Sequence, residues 1–227
     1  MSQAPLSHTR PPWLSIWRSP RSTIRRIVQG NPRQGVIPLA LIWGASTALS
    51  FASVLRVGDK LPLGAILPAA LIGGAALGLP AFYILGGLYT LSGRVFGGTA
   101  KATEMRAALA WSSVPMAPTL LIWALRIALF GQDLFASNSF SGASSHPLLF
   151  GITQVASLPL SVWAVAIWLG AYSEVHQVST WRGIASLAIS GAVIGAGGAA
   201  LLVVCIPVTV VIYAIAAMLF LSAQGAG

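Results

Sequence analysis

The stretch GVIPLALIWGASTALSFASVL, Gly35 to Leu55, runs for 21 residues without a charge. As a helix it would be about 31 Å long, close to the roughly 30 Å hydrocarbon thickness of a bilayer. Nothing in it alternates with period two, so a strand is excluded and a membrane-crossing helix is predicted. Four further apolar runs follow, from about Leu61 to Leu91, Ala107 to Phe130, Pro147 to Tyr172 and Gly183 to Leu221. Composition agrees. Of 227 residues, 56% are hydrophobic and 7% charged, where a soluble domain carries about 25% charged residues. The mean hydropathy is +0.82. Such a chain needs lipid as solvent, and the expected fold is an all-α, polytopic transmembrane helix bundle.

The last run is too long for one crossing, since about 39 residues make roughly 58 Å of helix. Either one helix projects beyond the bilayer, or Gly197-Gly198 or Pro207 divides it. A hairpin there would leave turn backbone unsatisfied in lipid. Five spans are therefore expected, with six as the alternative.

Charge orients the bundle. Arg10, Arg18, Arg21, Arg25, Arg26 and Arg33 precede the first run, Arg94, Lys101 and Arg106 follow the second, and Arg182 follows the fourth; the opposite side has only Arg56 and Lys60. This bias places the N-terminus in the cytoplasm. Residues 1–34 then form a basic cytoplasmic segment and residues 35–222 the membrane domain. The distribution also removes the case for nucleic acid as a partner: the net charge of +9 lies at the ends of spans, where topology signals belong.

Within the basic segment, WLSIWRSPRSTIRRIV (Trp13 to Val28) predicts a short amphipathic helix. Ser19 suits the N-cap and Pro20 the first helical position, while Gly30 and Asn31-Pro32 stop the helix. Ile24, Ile27 and Val28 share one face, and Arg21 and Arg25 another. With Trp13 and Trp17 at the headgroup boundary, the helix is expected to lie on the membrane, its Arg18, Arg21, Arg25 and Arg26 on anionic lipid.

Enzyme templates lack their parts. His8, His146 and His176 fall on different segments, and Asp59, Glu104, Asp133 and Glu174 are scattered among connections. No carboxylate pair shares a helix face, and Glu174 and His176, two apart, point away from each other. None of the glycine pairs leads into Gly-Lys-Ser/Thr after a strand. Cys205 is the only cysteine, so thiolate clusters are excluded. Neither catalysis, metal nor cofactor is expected.

The remaining candidates are intramembrane. Arg126 is the one charge inside a span, near its outer end, where a long side chain snorkels to the interface or meets an anionic group. Thr153, Ser157 and Ser161 form a polar stripe suited to interhelical hydrogen bonds or to a polar cavity. The small-xxx-small pairs Gly74/Gly78 and Gly191/Gly195 permit close helix packing, within the chain or between copies. In the segment RVFGGTAKATEMR, Gly97-Gly98 is expected to end one helix and Thr99 or Thr103 to cap the next.

The order of these motifs resembles the Yip family, the Ypt/Rab-interacting membrane proteins, in its compact prokaryotic form. The resemblance rests on Trp17 to Pro20-Arg21 before the first span, Gly97-Gly98, RAALAWSSVP (Arg106 to Pro115) and EVHQVSTWRGIA (Glu174 to Ala185), over roughly residues 13 to 215. It implies a five-span fold, and for eukaryotic relatives binding of prenylated Rab-type GTPases. The relatives' Asp-Leu-Tyr-Gly-Pro motif and long acidic N-terminal domain have no counterpart here, so GTPase binding is not carried over. The expected protein is a non-enzymatic component of the bacterial inner membrane. It would act in membrane organisation or as a subunit or scaffold, through anionic lipid, a membrane-protein partner or its own copies. The alternative is a small transporter or channel for a neutral or hydrophobic solute.

Overall fold

The computed structural model describes residues 11–137, 147–192 and 195–196. Among them all regular structure is helical. A one-turn helix α1 (Pro12–Ser15) leads into α2 (Pro20–Gly30). Helix α3 (Val36–Val54) crosses to the far end, where a 3-10 turn (Val57–Asp59) reverses the chain. The return is continuous over 33 residues: α4 (Leu63–Pro68), a π-helical turn (Ala69–Gly73) and α5 (Gly74–Val95). Helix α6 (Ala102–Ser112) follows, then α7 (Met116–Phe130) and a second 3-10 turn (Gly131–Phe135). Helices α8 (Pro147–Ala156) and α9 (Leu158–His176) run back, and α10 occupies 180–192.

Four helical stretches are long and apolar enough to cross a membrane: Val36–Val54, Leu63–Val95, Met116–Phe135 and Leu148–His176. Only 39%, 22%, 22% and 11% of their most apolar windows are buried. Side chains such as Ile72, Leu77, Ile84, Leu121 and Val162 face outward, each more than half exposed. A surface this apolar has lipid as its solvent. The chain is an integral membrane protein. The fifth expected run extends beyond the described residues from 197 onward, as do Cys205, Pro207 and Gly197-Gly198; His8, Arg10 and His146 also lie outside them.

Two expected runs are divided. The stretch from Ala107 to Phe130 is not one helix, because α6 ends at Ser112 and α7 begins at Met116. Pro115 has no N–H, and its ring would press on the carbonyl four residues back. The backbone instead closes tight three-residue bonds, Ser113 N–H to Ala110 O and Met116 N–H to Ser113 O. Consequently α6 is a buried helix, with Met105, Ala107, Ala108, Ala110 and Trp111 at most 1% exposed. Pro159 has the same effect between α8 and α9, which meet at Ser157.

The long α4–α5 rod answers a different length problem. At about 50 Å it exceeds the hydrocarbon thickness by several turns. Its last turns, from Gly86 onward, pack on α6 and α9 through Gly86, Tyr89 and Gly93. The surplus length is spent on protein.

At the far end, the two 3-10 turns are laced together. Gln132 Nε2 donates to Gly58 O at 2.8 Å, Ser53 Oγ to Leu134 O at 2.7 Å, and the Ser137 N–H to Asp59 Oδ1 at 2.8 Å. Leu49, Ile66, Trp123, Phe135 and Phe150 pack beneath them.

Candidate functional site

The basic end is a compact hub that several elements close together. Helix α5 ends where expected, at Gly97-Gly98: Gly97 takes φ +81°, its N–H bonds Arg94 O, and Gly98 N–H bonds Gly93 O at 2.8 Å. This left-handed terminus suits glycine. Helix α6 then starts at Ala102 with Lys101 as N-cap, its N–H bonded to the Glu104 carboxylate at 2.9 Å. Neither Thr99 nor Thr103 caps it, because Thr99 lies two residues before the N-cap Lys101 and Thr103 is already inside the first turn.

His176, wholly buried at the end of α9, is the centre of the hub. Its ring fills the space that side chains at Gly93 and Gly98 would need. Nε2 lies 3.1 Å from Tyr89 O, so Nε2 carries the proton and donates. Nδ1 has no partner among the described residues. The His176 carbonyl accepts the Thr99 N–H at 3.2 Å, which ties the α5–α6 loop to α9. The Tyr172 ring lies tilted against the same imidazole, 4.6 Å between ring centres. The Tyr172 hydroxyl shares a short hydrogen bond with Ser186 Oγ. Ser190 Oγ donates to Ser92 Oγ at 2.7 Å, so α5, α9 and α10 are joined by one buried polar chain. Such satisfied polar networks fix a single arrangement of the helices that share them.

The α2 helix has the expected bounds, but its apolar stripe does not face lipid. Ile24 and Ile27 are 0% and 4% exposed and belong to the core formed with Ile16, Met105, Trp111 and Tyr172. Helices α6 and α9 together enclose these branched side chains, and each buried one contributes about 1.5–3 kcal/mol. Trp17 packs against that core, while Trp13, 41% exposed, tilts on Trp111 with 5.1 Å between ring centres. Trp111 in turn donates from Nε1 to Gln34 O at 3.0 Å. The N-terminal segment is thus docked on protein.

Its arginines point outward. Arg18, Arg21, Arg25 and Arg26 are all exposed. Arg25 Nε donates to Glu174 Oε1 at 2.6 Å, Arg21 to Thr180 Oγ1 at 2.8 Å, and Arg26 to Ser15 Oγ at 2.9 Å. The Glu174 hydrogen bond and charge together raise the Arg25 pKa above its ordinary value. Both carboxylates of this end are thereby occupied, Glu174 by Arg25 and Glu104 by the α6 terminus. Arg18, Arg21, Arg26, Arg33, Arg94, Lys101, Arg106 and Arg182 have no carboxylate partner among the described residues.

In the middle of the bundle Gly74 and Gly78 meet Gly44 of α3. A methyl on Gly44 would stand 2.5 Å from Gly74 O, and one on Gly78 would overlap the Gly44 backbone. Gly44 was not singled out in the sequence, although its four-residue spacing to Ala48 is the same signal. Gly191 and Gly195 have no described neighbour within 4 Å of an added methyl. The stripe on α8–α9 is split: Thr153 is buried and bonds Phe150 O, Ser157 is half-buried and bonds Gln154 O, and Ser161 is exposed and bonds Ser157 O. Of the three, only Ser161 lines a cleft of about 460 Å³ between α3, α7 and α9, together with Ser46, Ser50 and Thr119. Ser46 Oγ is buried there without a partner among the described residues. Arg126 does not reach outward. It is 6% exposed, lying over Trp123 at 4.8 Å and Phe150 at 5.8 Å. No cluster of three metal-ligating side chains forms among the described residues.

These features define a helical integral membrane protein with a protein-packed basic end and a small-residue crossing in its apolar section. A family model for the Yip1 domain matches residues 14–202, and the chain belongs to the Yip1 domain family. No curated protein and no solved structure matches it.

Proposed function

We propose that this protein is a non-enzymatic component of the bacterial cytoplasmic membrane. It would have five spans, with the basic end inside, and act in membrane organisation or as a subunit of a complex. One observation carries the reading. A rigid hub presents eight cations without carboxylate partners at one end of the bundle, against Arg56 and Lys60 at the other. Anionic headgroups attract such a face by about 1 kcal/mol per basic residue near the surface, and an acidic protein surface fits it equally. GTPase binding is no part of the proposal. The test is co-purification of the full chain with lipid analysis and cross-linking. Reproducible enrichment of anionic lipid or of one membrane protein is expected; recovery of neither sinks the reading. Labelling single cysteines at Ser22 and Ser137, in a Cys205→Ser background, checks the orientation. The thiol of Ser22→Cys should react only from inside.

The hydroxyl-lined cleft around Ser46 and Ser161 favours a second reading, passage of a small neutral solute. Saturable flux in liposomes that Ser161→Phe abolishes would support it and displace the first.

A further inference from the structure

A second cleft, of about 290 Å³, opens at the mouth of α3 and is lined by Arg33, Val36, Ile37, Tyr83, Thr103 and Arg106. We infer that it is a seat for the phosphate headgroup of an anionic phospholipid, with Arg33 and Arg106 as the ligands. The inference rests on the anionic-surface reading above and assigns it a place.

Arg106 is held ready for this. Its aliphatic stem packs on Gly86, where a methyl would stand 2.6 Å from Cγ, and its guanidinium lies over the Tyr83 ring at 4.6 Å. Cation–π contact of this kind fixes the plane of the guanidinium without consuming its N–H donors. Neither Arg33 nor Arg106 makes a salt bridge among the described residues, and Arg106 Nε is buried there with no hydrogen-bond partner. Nε itself is closed to the cleft, so an anion there would be met by the terminal N–H groups of Arg106 and Arg33, which form strong charge-assisted bonds to phosphate. Two guanidiniums with the Thr103 hydroxyl beside them are the donor set that a phosphate recognises.

Depth and floor point to a lipid as the source. Val36 is the first residue of the first span, so the cleft lies at the level where chain passes from headgroups into hydrocarbon. Ile37, in the wall of the cleft, is 54% exposed and begins an apolar track on which an acyl chain can lie. A soluble phosphate would use the arginines and leave this track bare.

The test uses the full chain in detergent, exchanged against equimolar phosphatidylglycerol and phosphatidylcholine, with bound lipid counted by native mass spectrometry. Wild type should retain phosphatidylglycerol selectively. Arg33→Gln/Arg106→Gln should reduce that retention about thirtyfold, a factor of roughly five for each arginine. Arg18→Gln/Arg21→Gln, which removes as much charge from the same face but outside the cleft, should reduce retention severalfold less than the cleft pair does. Gly86→Ala changes no charge but displaces the Arg106 stem, and should weaken retention severalfold where Gly87→Ala does not. Arg106→Lys, which keeps the charge and loses the planar fork, should fall between wild type and the double variant; it serves as the readout if Arg106→Gln fails to fold. If the Arg18/Arg21 pair matters as much as the Arg33/Arg106 pair, the seat is wrong while the anionic surface stands. Wild type that retains no anionic lipid overturns both. Displacement of the lipid by millimolar inorganic phosphate would assign the cleft to free phosphate and overturn the lipid seat.

Discussion

The imidazole of His176 occupies the volume that a side chain at Gly93 would need, so α9 reaches the bare backbone of α5 there through that one ring. Gly93→Ala should therefore cost about 1–3 kcal/mol, the usual range for overpacking a closed interior. His176→Ala opens a cavity and leaves Tyr89 O without its ring N–H, and should also destabilise. The two losses should not add: in Gly93→Ala/His176→Ala the new methyl enters the vacated space. A double-mutant cycle followed by thermal unfolding in detergent measures the coupling. Additive losses would show that the two positions do not share that space.

How much of this was legible follows from what each pattern reports. Apolar run length announces a crossing helix, so the bounds of α3 in the sequence and in the structure agree to one residue. Pro20 and Asn31-Pro32 likewise mark the ends of α2. The same hydropathy cannot tell lipid from protein as the apolar neighbour. Ile24 and Ile27 looked ready for a membrane surface and are buried in the core that α6 and α9 share, and the start of RAALAWSSVP read as a span although α6 is a core helix. His176 carries no signature of its own, since its surroundings come from Gly93, Gly98 and Tyr89 far away in the chain. Two of the motifs behind the family resemblance nevertheless meet at this point: the Glu174–Ala185 segment carries the ring, and Gly98 of Gly97-Gly98 leaves the space it fills.

The crossing of α3 over α5 makes a second, paired prediction. Gly78→Ala forces the helices apart at Gly44 and should cost about 1–3 kcal/mol. Gly87→Ala, one helix position with open space where the methyl would go, should be neutral or stabilise by up to about 1 kcal/mol through helix propensity. Thermal unfolding of both variants in one detergent checks the contrast. Equal responses would mean that the crossing is looser than the Gly44–Gly78 approach indicates.

At the far end, Asp59 predicts a pH dependence. Hydrogen bonds from the Ser137 N–H and then its hydroxyl hold the Asp59 carboxyl below its ordinary value, with Arg56 and Lys60 adding to the effect. A carboxylate depressed in the folded state stabilises the fold above its unfolded pKa, about 3.9. That contribution is lost as pH falls through the lower folded pKa. Nothing should change at this lacing between pH 7 and about 5, and wild type should lose an increment of stability below about 4. Asp59→Asn should lack that increment. Tm measured across this acid range for both proteins decides it, and parallel profiles would remove Asp59 from the account.

The pair Arg25–Glu174 clamps α2 to the end of α9. Its two partners are unequal: the Arg25 side chain is 60% exposed and that of Glu174 only 10%. Water therefore screens much of the attraction on one side, and little effect on global unfolding is expected from an exposed ion pair. The local consequence is larger, because α2 hangs on the hub by Ile24, Ile27 and a few polar contacts. Arg25→Glu sets two carboxylates against each other and should expose the Arg18–Arg33 segment to trypsin severalfold faster at low salt. Adding Glu174→Arg restores opposite charges in swapped order and should return the rate toward wild type. High salt should shrink the difference, since the Debye length falls to about 3 Å at 1 M. Cleavage that is fast in both variants would mean that geometry, and not charge, sets the clamp; cleavage unchanged in Arg25→Glu would mean that the apolar stripe of α2 holds the segment alone.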